Sequence, residues 1–299
     1  MPASIPRLII TADDFGLTEG VNRGIVRAVT SGIVTSAAVM ANGAAFESAS
    51  RLAMQHDIDV GVHLTLVEER TLVAPASVPS LVDEGGRLPG RFTDLLRKLV
   101  LGRVDLQHVR AELRAQIERC LGAGLRPSHL SSHQHVHMWP ALLDVTIALA
   151  REYDIPAIRC PRLRLPLERR SAHGAASTTR LGMAAVLDLL ARRAARRIAA
   201  AGLRTTDHFT GMLVSGSLEE RGLAVLLAGL SPGLTELVVH PAEDDEATRS
   251  AYGRWQFHWQ QELAALTSEA ALAAARSGSF RLVSFGSEMR APHAPIGSP

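Results

Sequence analysis

Short apolar runs alternate with longer amphipathic stretches along most of this 299-residue chain. The short runs predict buried strands at Arg7–Ala12, Val34–Ala41, Asp59–Leu64, Ser128–Ser132, Ala157–Cys160, Thr205–Thr210, Thr235–His240 and Phe280–Phe285. The stretches between them predict helices at Thr18–Ser31, Ala44–His56, Val109–Leu121, Pro140–Glu152, Leu181–Ala201, Leu218–Ala228 and Trp259–Arg276. Strands that alternate with helices form parallel βαβ units. Seven or eight such units predict an α/β fold, a single-domain TIM-like (β/α) barrel.

Two stretches interrupt the alternation. Val67–Val104 is rich in proline, glycine and charge, and Pro161–Thr179 combines prolines with an arginine cluster. Long insertions of this kind usually serve as functional loops or lids. We therefore expect one barrel domain over residues 1–290 and, because 291–299 contains three prolines, a disordered tail there.

Aspartates and histidines close several of the apolar runs. Asp13 and Asp14 follow the first run, His63 ends the third, and His240 ends the seventh. In a barrel the carboxyl ends of the strands meet at one mouth, so these residues are expected to converge. A buried charge needs a partner or a metal. One aspartate could instead cap the following helix, but that would leave the other unexplained.

Three histidines, His133, His135 and His137, lie at alternate positions after the fourth run. In an extended strand all three would point to one side, whereas in a helix His133 and His137 would share a face. Both geometries suit a divalent metal, because imidazole nitrogen and carboxylate oxygen are ordinary ligands. The sequence therefore predicts a metal site at the barrel mouth.

Composition narrows the class of protein. Apolar residues make up 46% of the chain, enough for a large core, and 32 basic against 30 acidic residues give a net charge of +2, which argues against a nucleic-acid partner. Cys120 and Cys160 form no C-x-x-C pair and favour a reduced, cytoplasmic setting. We expect no signal peptide, and no apolar run approaches the ~20 residues of a membrane span.

The motifs resemble those of the YdjC-like carbohydrate deacetylases, a family that includes chitooligosaccharide deacetylase. The resemblance runs from about Arg7 to Phe285 and is strongest at Thr11–Leu17, Gly32–Ser36, Val60–Leu64, Ser132–Met138 and Val239–Ala242. It implies a distorted (β/α) barrel, one divalent metal ion, and hydrolysis of the N-acetyl group of an amino sugar with release of acetate. Zinc, magnesium, manganese and cobalt all suit such a site.

The resemblance also implies roles for single residues. Asp14, His63 and His133 match the metal ligands, and Asp13 matches the general base. His240 is similar to the histidine proposed as general acid, which protonates the leaving amine.

Other positions bear on the substrate. Arg159 matches a basic residue beside the site, and His135 and His137 either touch the substrate, orient His133 or pack as neutral core residues. Ser131 stands where the chitooligosaccharide branch tends to have aspartate. Val62–Gly86 is similar to a subgroup associated with hopanoid biosynthesis, which implies an acetylglucosamine carried on a hopanoid lipid.

Two other functions compete with deacetylation. A hydrolase of another bond, such as a phosphoester, usually needs two metals and more bridging carboxylates. A non-catalytic barrel would hold a structural metal with four protein ligands. The expected partner is an N-acetylated sugar, either a soluble glycan or lipid-linked, and a homodimer is left open.

The helix predicted over Leu181–Ala201 has two interpretations. Apolar residues recur at helical spacing and four arginines crowd its last turns: Met183, Leu187, Leu190, Ala194, Ile198, Arg192, Arg193, Arg196 and Arg197. An ordinary barrel helix would turn the apolar stripe to the sheet and leave the arginines in water. Alternatively, the helix lies on an anionic membrane, peripheral to the inner membrane, and brings the mouth to a lipid-linked sugar.

Overall fold

The computed structural model of the protein describes residues 4–163, 166, 168 and 178–289, without the side chains of residues 179 and 180. The strands of this part of the chain are β1 Arg7–Phe15, β2 Ser36–Val39, β3 Val60–Leu64, β4 His129–Ser132, β5 Ala157–Ile158, β6 His208–Thr210, β7 Leu234–Val239 and β8 Arg281–Leu282. All their pairings are parallel, in the order β5-β4-β3-β2-β1-β7-β6, and β8 pairs with the start of β1. Each predicted strand is therefore confirmed, most of them shorter than predicted.

The two ends of this sheet meet. Isolated parallel bridges join Ala157 to Arg204 and Leu163 to Phe209. The backbone N–H of Phe209 also donates to the carbonyl of Arg162 at 2.9 Å. The sheet thus closes through a few irregular contacts instead of a full ladder, which confirms the distorted TIM-like (β/α) barrel.

Helices surround the sheet. They are α1 Glu19–Thr30, α2 Phe46–Gln55, α3 Phe92–Val100, α4 Leu106–Gly122, α5 Pro140–Glu152, α6 Thr178–Ala200, α7 Glu220–Ala228, α8 Glu246–Tyr252, α9 Trp259–Leu266, α10 Glu269–Arg276 and α11 Phe285–Met289. The prediction of one helix over Trp259–Arg276 was wrong. Ser268 interrupts it, because its side chain accepts a hydrogen bond from the N–H of Ala271 and caps α10 as a separate helix.

The first insertion, Val67–Val104, is tied to the barrel by buried side chains of α4. The carboxylate of Glu112 accepts hydrogen bonds from the N–H of Leu72 at 3.0 and 3.1 Å. Gln116 donates to the carbonyl of Thr65 at 2.8 Å. The insertion contains α3, which sequence periodicity did not reveal, and it lies against the mouth of the barrel. Most of the second insertion and the predicted tail at 291–299 lie outside the described residues.

Only part of the apolar stripe predicted for helix α6 faces the core of the protein. Ala194 and Ile198 are buried, but Met183 is 53% exposed. Val186 and Leu189, on the same outward face, are 60% and 51% exposed. The inward positions hold small residues such as Ala184 and Ala191, which let the helix pack closely. Within the described part of the chain, we find no helix whose length and hydropathy would suit a membrane span.

Candidate metal centre and active site

The adjacent carboxylates of Asp13 and Asp14 face the same point at the end of β1. In a regular strand, successive side chains point to opposite faces. Here Asp14 has a left-handed backbone (φ 68°), and the pairing register with β2 shifts across this turn. As a result, Asp13 Oδ2 and Asp14 Oδ1 lie 3.8 and 3.5 Å from the same atom, Nε2 of His63. The left-handed conformation costs about 1–2 kcal/mol, which the surrounding fold must offset.

A buried asparagine of α1 holds this turn. The side-chain oxygen of Asn22 accepts a hydrogen bond from the N–H of Gly16 at 2.8 Å, and its amide nitrogen donates to the carbonyl of Ala45 at 3.0 Å. Gly16 itself has φ 103°, a conformation that side chains other than glycine rarely adopt. The two contacts fix the chain after Asp14 against the start of α2.

The structure brings together Asp14, His63 and His133, the three residues predicted as metal ligands. One ligand atom from each lies within 4.8 Å of the others, and all three residues are buried. Asp14 Oδ1 is 3.2 Å from His133 Nδ1. The opposite nitrogen of His63 is 2.8 Å from the hydroxyl of Ser131, which orients that ring.

This donor set fits a divalent metal. Burial by itself raises the pKa of Asp14, but His133 and His63 lower it below its usual range, so Asp14 carries a charge. Its ion-pair partners among the described residues are these two histidines, with no arginine or lysine. Burial lowers the pKa of His63 to about 4, so His63 is neutral at pH 7 and offers a lone pair. Two nitrogens and one charged oxygen suit zinc and related ions.

The histidine segment is neither extended nor regularly helical. His133–Met138 forms 3-10 turns in which Gln134 and His135 have left-handed backbones. Neither predicted geometry, the strand or the regular helix, is present, because the left-handed backbone at Gln134 and His135 breaks the regular spacing of the three rings. His135 packs edge-on against Phe209 with ring centroids 5.5 Å apart, and burial holds its pKa well below the usual value.

His137 supports the backbone beside the site. Its Nε2 lies 3.0 Å from the carbonyl oxygen of Arg159, which can only accept, so Nε2 carries the proton. The other nitrogen accepts from the hydroxyl of Ser132. Burial lowers the pKa of His137 to about 3, so the ring stays neutral. His137 is thus buried and anchors the backbone of Arg159.

Arg159 is fully buried and binds Asp13 with both ends of its guanidinium. Nη1 and Nη2 donate to the two Asp13 oxygens at 2.6 and 2.8 Å, and Nε donates to Glu236 at 2.8 Å. Burial alone would raise the pKa of Asp13, but Arg159 and, to a smaller extent, His63 together hold it well below its usual range. Sequence analysis missed Glu236, although an acidic residue inside an apolar strand is a signal in itself.

His240 follows β7 at the rim of the mouth and is half-buried. Its backbone N–H donates to the buried carboxylate of Glu262 at 2.6 Å, and its Nδ1 lies 3.3 Å from the hydroxyl of Ser215. The ring of Phe257 packs edge-on against it at 5.1 Å. His240 is therefore held at the mouth but keeps one side open.

Two further features were missed by sequence analysis. Glu68, in the first insertion, lies 2.9 Å from Nε2 of His133. Aromatic rings of residues 252–259 contact one another, with centroids 4.8–6.5 Å apart, and Trp255 lies 5.1 Å from His133. The chain has only 3 tryptophans and 2 tyrosines, and two of the tryptophans and one of the tyrosines lie within these eight residues. This clustering could have been recognised in the sequence.

Metal binding should release a proton from the metal-free protein. Burial disfavours charged His133, but Asp14 and Glu68 outweigh burial and raise its pKa to about 10, above its ordinary 6.5. Below pH 6.5 the charged ring stabilises the metal-free fold in full, and this contribution is lost as pH rises through 10. Since a ligand nitrogen must be deprotonated, zinc should displace about one proton per site between roughly pH 7 and 9.

Stopped-flow mixing of the protein and zinc with a pH indicator measures the number of protons released, and His133→Ala should release none. Equal release by both proteins would contradict the assignment.

The fold and site together define a (β/α) barrel with a buried Asp-His-His set at its mouth. The chain belongs to the YdjC-like protein family, whose sequence pattern matches residues 7–277.

The chain is also similar to individual proteins and to a solved structure. The chain is 35% identical over 254 residues to the carbohydrate deacetylase of Brevibacillus brevis, covering 83% of this chain and 87% of that protein. It is 37% identical over 169 residues to the chitooligosaccharide deacetylase of Yersinia pestis, covering 56% and 62%. A crystal structure from Enterococcus faecalis V583, described as a cellobiose-phosphate cleavage protein, superposes with a TM-score of 0.71 at 27% identity, covering 95% and 99%.

Proposed function

We propose that this protein is a metal-dependent carbohydrate deacetylase that hydrolyses the acetamide of an N-acetylated amino sugar and releases acetate. One observation carries the proposal: a buried three-ligand set lies beside a second carboxylate, Asp13, that the set does not need. The names of the relatives, carbohydrate deacetylase and chitooligosaccharide deacetylase, support it.

Asp14, His63 and His133 would hold one divalent ion, zinc, magnesium, manganese or cobalt, with a position left open for water. When bound, such an ion polarises the acetyl carbonyl and lowers the pKa of a water molecule. The three side chains come from β1, β3 and the turn after β4, so the rigid barrel fixes their spacing.

Asp13 is the proposed general base. Arg159 keeps it ionised and fixes its orientation, so a proton acceptor is ready at every physiological pH. The same contact makes Asp13 a weak base, and it can take a proton only from a strongly acidified water. Because both Asp13 oxygens bind Arg159, this carboxylate is a poor fourth metal ligand.

His240 is the proposed general acid. An amine is a poor leaving group unless it is protonated as the C–N bond breaks, and histidine is the side chain that most often transfers such a proton in enzymes. His240 is close enough to Asp13 and Asp14 to contribute to the lowering of both their pKa values. The ring of Phe257 beside it offers an apolar surface to a sugar ring.

Assays on defined substrates test the proposal directly. The protein is incubated with glycans and lipids that carry N-acetylglucosamine, and with phosphoesters, and acetate, free amine and phosphate are measured. Acetate with an equal amount of amine is expected. Phosphate release would favour the phosphoesterase alternative, and tightly bound metal without turnover would favour the non-catalytic barrel.

Asp13→Asn should retain the metal and lose turnover. The amide keeps the size of the side chain but cannot accept the proton, so we expect kcat to fall by a factor of ~10²–10⁴. The matched control is Asp14→Asn, one residue away, which should lose bound metal. Elemental analysis and kcat of both variants decide the roles. Metal loss in the Asp13 variant would show that the two aspartates are assigned the wrong way round.

His240→Ala should slow amide cleavage with bound metal unchanged. If His240 protonates the amine, the loss in kcat should shrink for an anilide substrate, whose leaving group needs less protonation. The comparison requires kcat on an alkyl amide and on the anilide. Ser215→Ala, which removes the hydroxyl 3.3 Å from Nδ1 and leaves the imidazole in place, is a milder control. Equal losses on both substrates would assign His240 to positioning alone.

The exposed face of α6 favours a lipid-linked sugar over a soluble glycan. Met183, Val186 and Leu189 are apolar and more than half exposed, and arginines follow in the next turns. The helix packs against His133–Met138, the segment that carries the metal ligand His133. Apolar residues beside arginines suit an anionic membrane surface.

Binding to anionic liposomes should therefore be measurable by sedimentation and should weaken with added salt. Replacing Met183, Val186 and Leu189 with serine should abolish it and slow turnover of a lipid-linked substrate more than of a soluble one. The matched control replaces Val100 and Leu101 with serine in the same way. These two apolar residues lie at the end of α3 and are similarly exposed, 67% and 52%. Wild-type protein that stays in the supernatant at low salt would leave the soluble glycan as substrate.

A further inference from the structure

We propose that Glu68 is a positioning residue for the metal ligand His133. It holds the His133 proton on Nε2, so that His133 binds the metal through Nδ1, and Arg254 and Trp255 hold Glu68 in turn. The inference rests on the metal site of the proposed function but not on the reaction or the substrate.

The two nitrogens of His133 face opposite partners. Nε2 lies 2.9 Å from Glu68 Oε2, and Nδ1 lies 3.2 Å from Asp14 Oδ1. A neutral imidazole has one N–H and one lone pair, and an ionised carboxylate can only accept. In the metal-free protein both nitrogens face carboxylates, so both donate. When a metal takes the place of the Nδ1 proton, Glu68 keeps the remaining proton on Nε2 and leaves the Nδ1 lone pair for the ion beside Asp14.

His63 has the opposite arrangement. Its Nδ1 contacts the hydroxyl of Ser131, and its Nε2 faces Asp14. The two histidine ligands would therefore use different nitrogens, Nε2 in His63 and Nδ1 in His133. A regular pattern of histidines in the sequence does not reveal this difference, because it depends on what lies behind each ring.

Glu68 is itself held by donors on both oxygens. Oε2 accepts from the side-chain amide of Gln134 at 2.9 Å as well as from His133. Oε1 accepts from Trp255 Nε1 at 3.0 Å and from Arg254 Nη2 at 3.1 Å. With donors on each oxygen, the carboxylate has no place for a proton of its own.

The backbone conformation at Glu68 also holds its side chain in this position. It has a left-handed conformation (φ 69°), and its N–H donates to the carbonyl of Pro89 at 2.8 Å. The side chain is only 5% exposed. A strained, buried acidic residue in an insertion persists only when the surroundings determine its conformation, and here they aim it at a metal ligand.

Glu68 is not placed as a fourth ligand. The ring of His133 stands between Glu68 and Asp14, so an ion held by Asp14 and Nδ1 lies out of reach of Glu68. A carboxylate behind a ligating histidine fixes the ring and raises the basicity of the ligand nitrogen, and its loss typically weakens metal binding 10- to 100-fold.

The first test measures zinc affinity by competition with a chromophoric chelator. Glu68→Ala should weaken binding by about 10- to 100-fold, and Glu68→Gln should fall between it and wild type, because the amide oxygen still accepts but has no charge. Trp255→Phe, which keeps an aromatic ring but removes the N–H donor, should weaken zinc binding less than Glu68→Ala. The matched control is Glu69→Gln: Glu69 is the adjacent acid, but it bonds to the hydroxyl of Tyr252. Unchanged affinity in Glu68→Ala would overturn the inference.

The second test needs no variant and therefore does not depend on whether the variants fold. In the zinc-loaded wild-type protein with ¹⁵N-labelled histidine, NMR should show the proton of His133 on Nε2 and that of His63 on Nδ1. A proton on Nδ1 of His133 would overturn the inference even if the enzyme deacetylates sugars. If the expected tautomers are found without any deacetylation, the positioning role stands and only the proposed function fails.

Discussion

The contact between Arg159 and Asp13 is the constraint on which the rest of the mouth depends. Two adjacent carboxylates and Glu236 lie in a buried space, and one guanidinium serves only two of the three. Removing one partner of such a buried pair typically costs about 3–5 kcal/mol, because a charge is left uncompensated. By neutralising Asp13 and not Asp14, Arg159 makes the two neighbours chemically different. Asp14 is left as the carboxylate that needs another cation to balance its charge. His137 holds the backbone of Arg159 in place by donating to its carbonyl oxygen.

The sequence predicts the barrel and the convergence of Asp13, Asp14, His63, His133 and His240 because both follow from periodicity. Apolar runs mark strands, and parallel strands end at one mouth. It does not predict how the side chains are aimed, since that depends on backbone exceptions. The left-handed turn at Asp14 brings neighbouring carboxylates to one side, and the 3-10 turns after β4 separate histidines that any regular structure would group.

The contacts of Glu68 and Glu236 and the division of the last predicted helix could not be predicted from the sequence, for a related reason. His133, the partner of Glu68, lies 65 residues away in the chain. The insertion that carries Glu68 has no regular hydrophobic periodicity from which its structure could be predicted. Glu236 occupies a buried strand position that apolar patterning assigns to the core, and only the arginine opposite explains it. Ser268 caps a helix in a stretch whose composition favours an uninterrupted one. In each case a specific polar contact prevails over the average tendency of the segment.

The parts of the site differ in origin. The ligands and the proposed base lie on or beside strands of the barrel, where packing limits their movement, whereas Glu68 and the aromatic rings of residues 252–259 come from connecting segments. His133 belongs to both sets, because one nitrogen faces Asp14 and the other faces Glu68. Under the proposed function, a sugar resting on Trp255 would press on the same residue that donates to Glu68. Changes in the connecting segments that alter substrate choice would then also alter metal affinity, and the two properties could not vary independently in this chain.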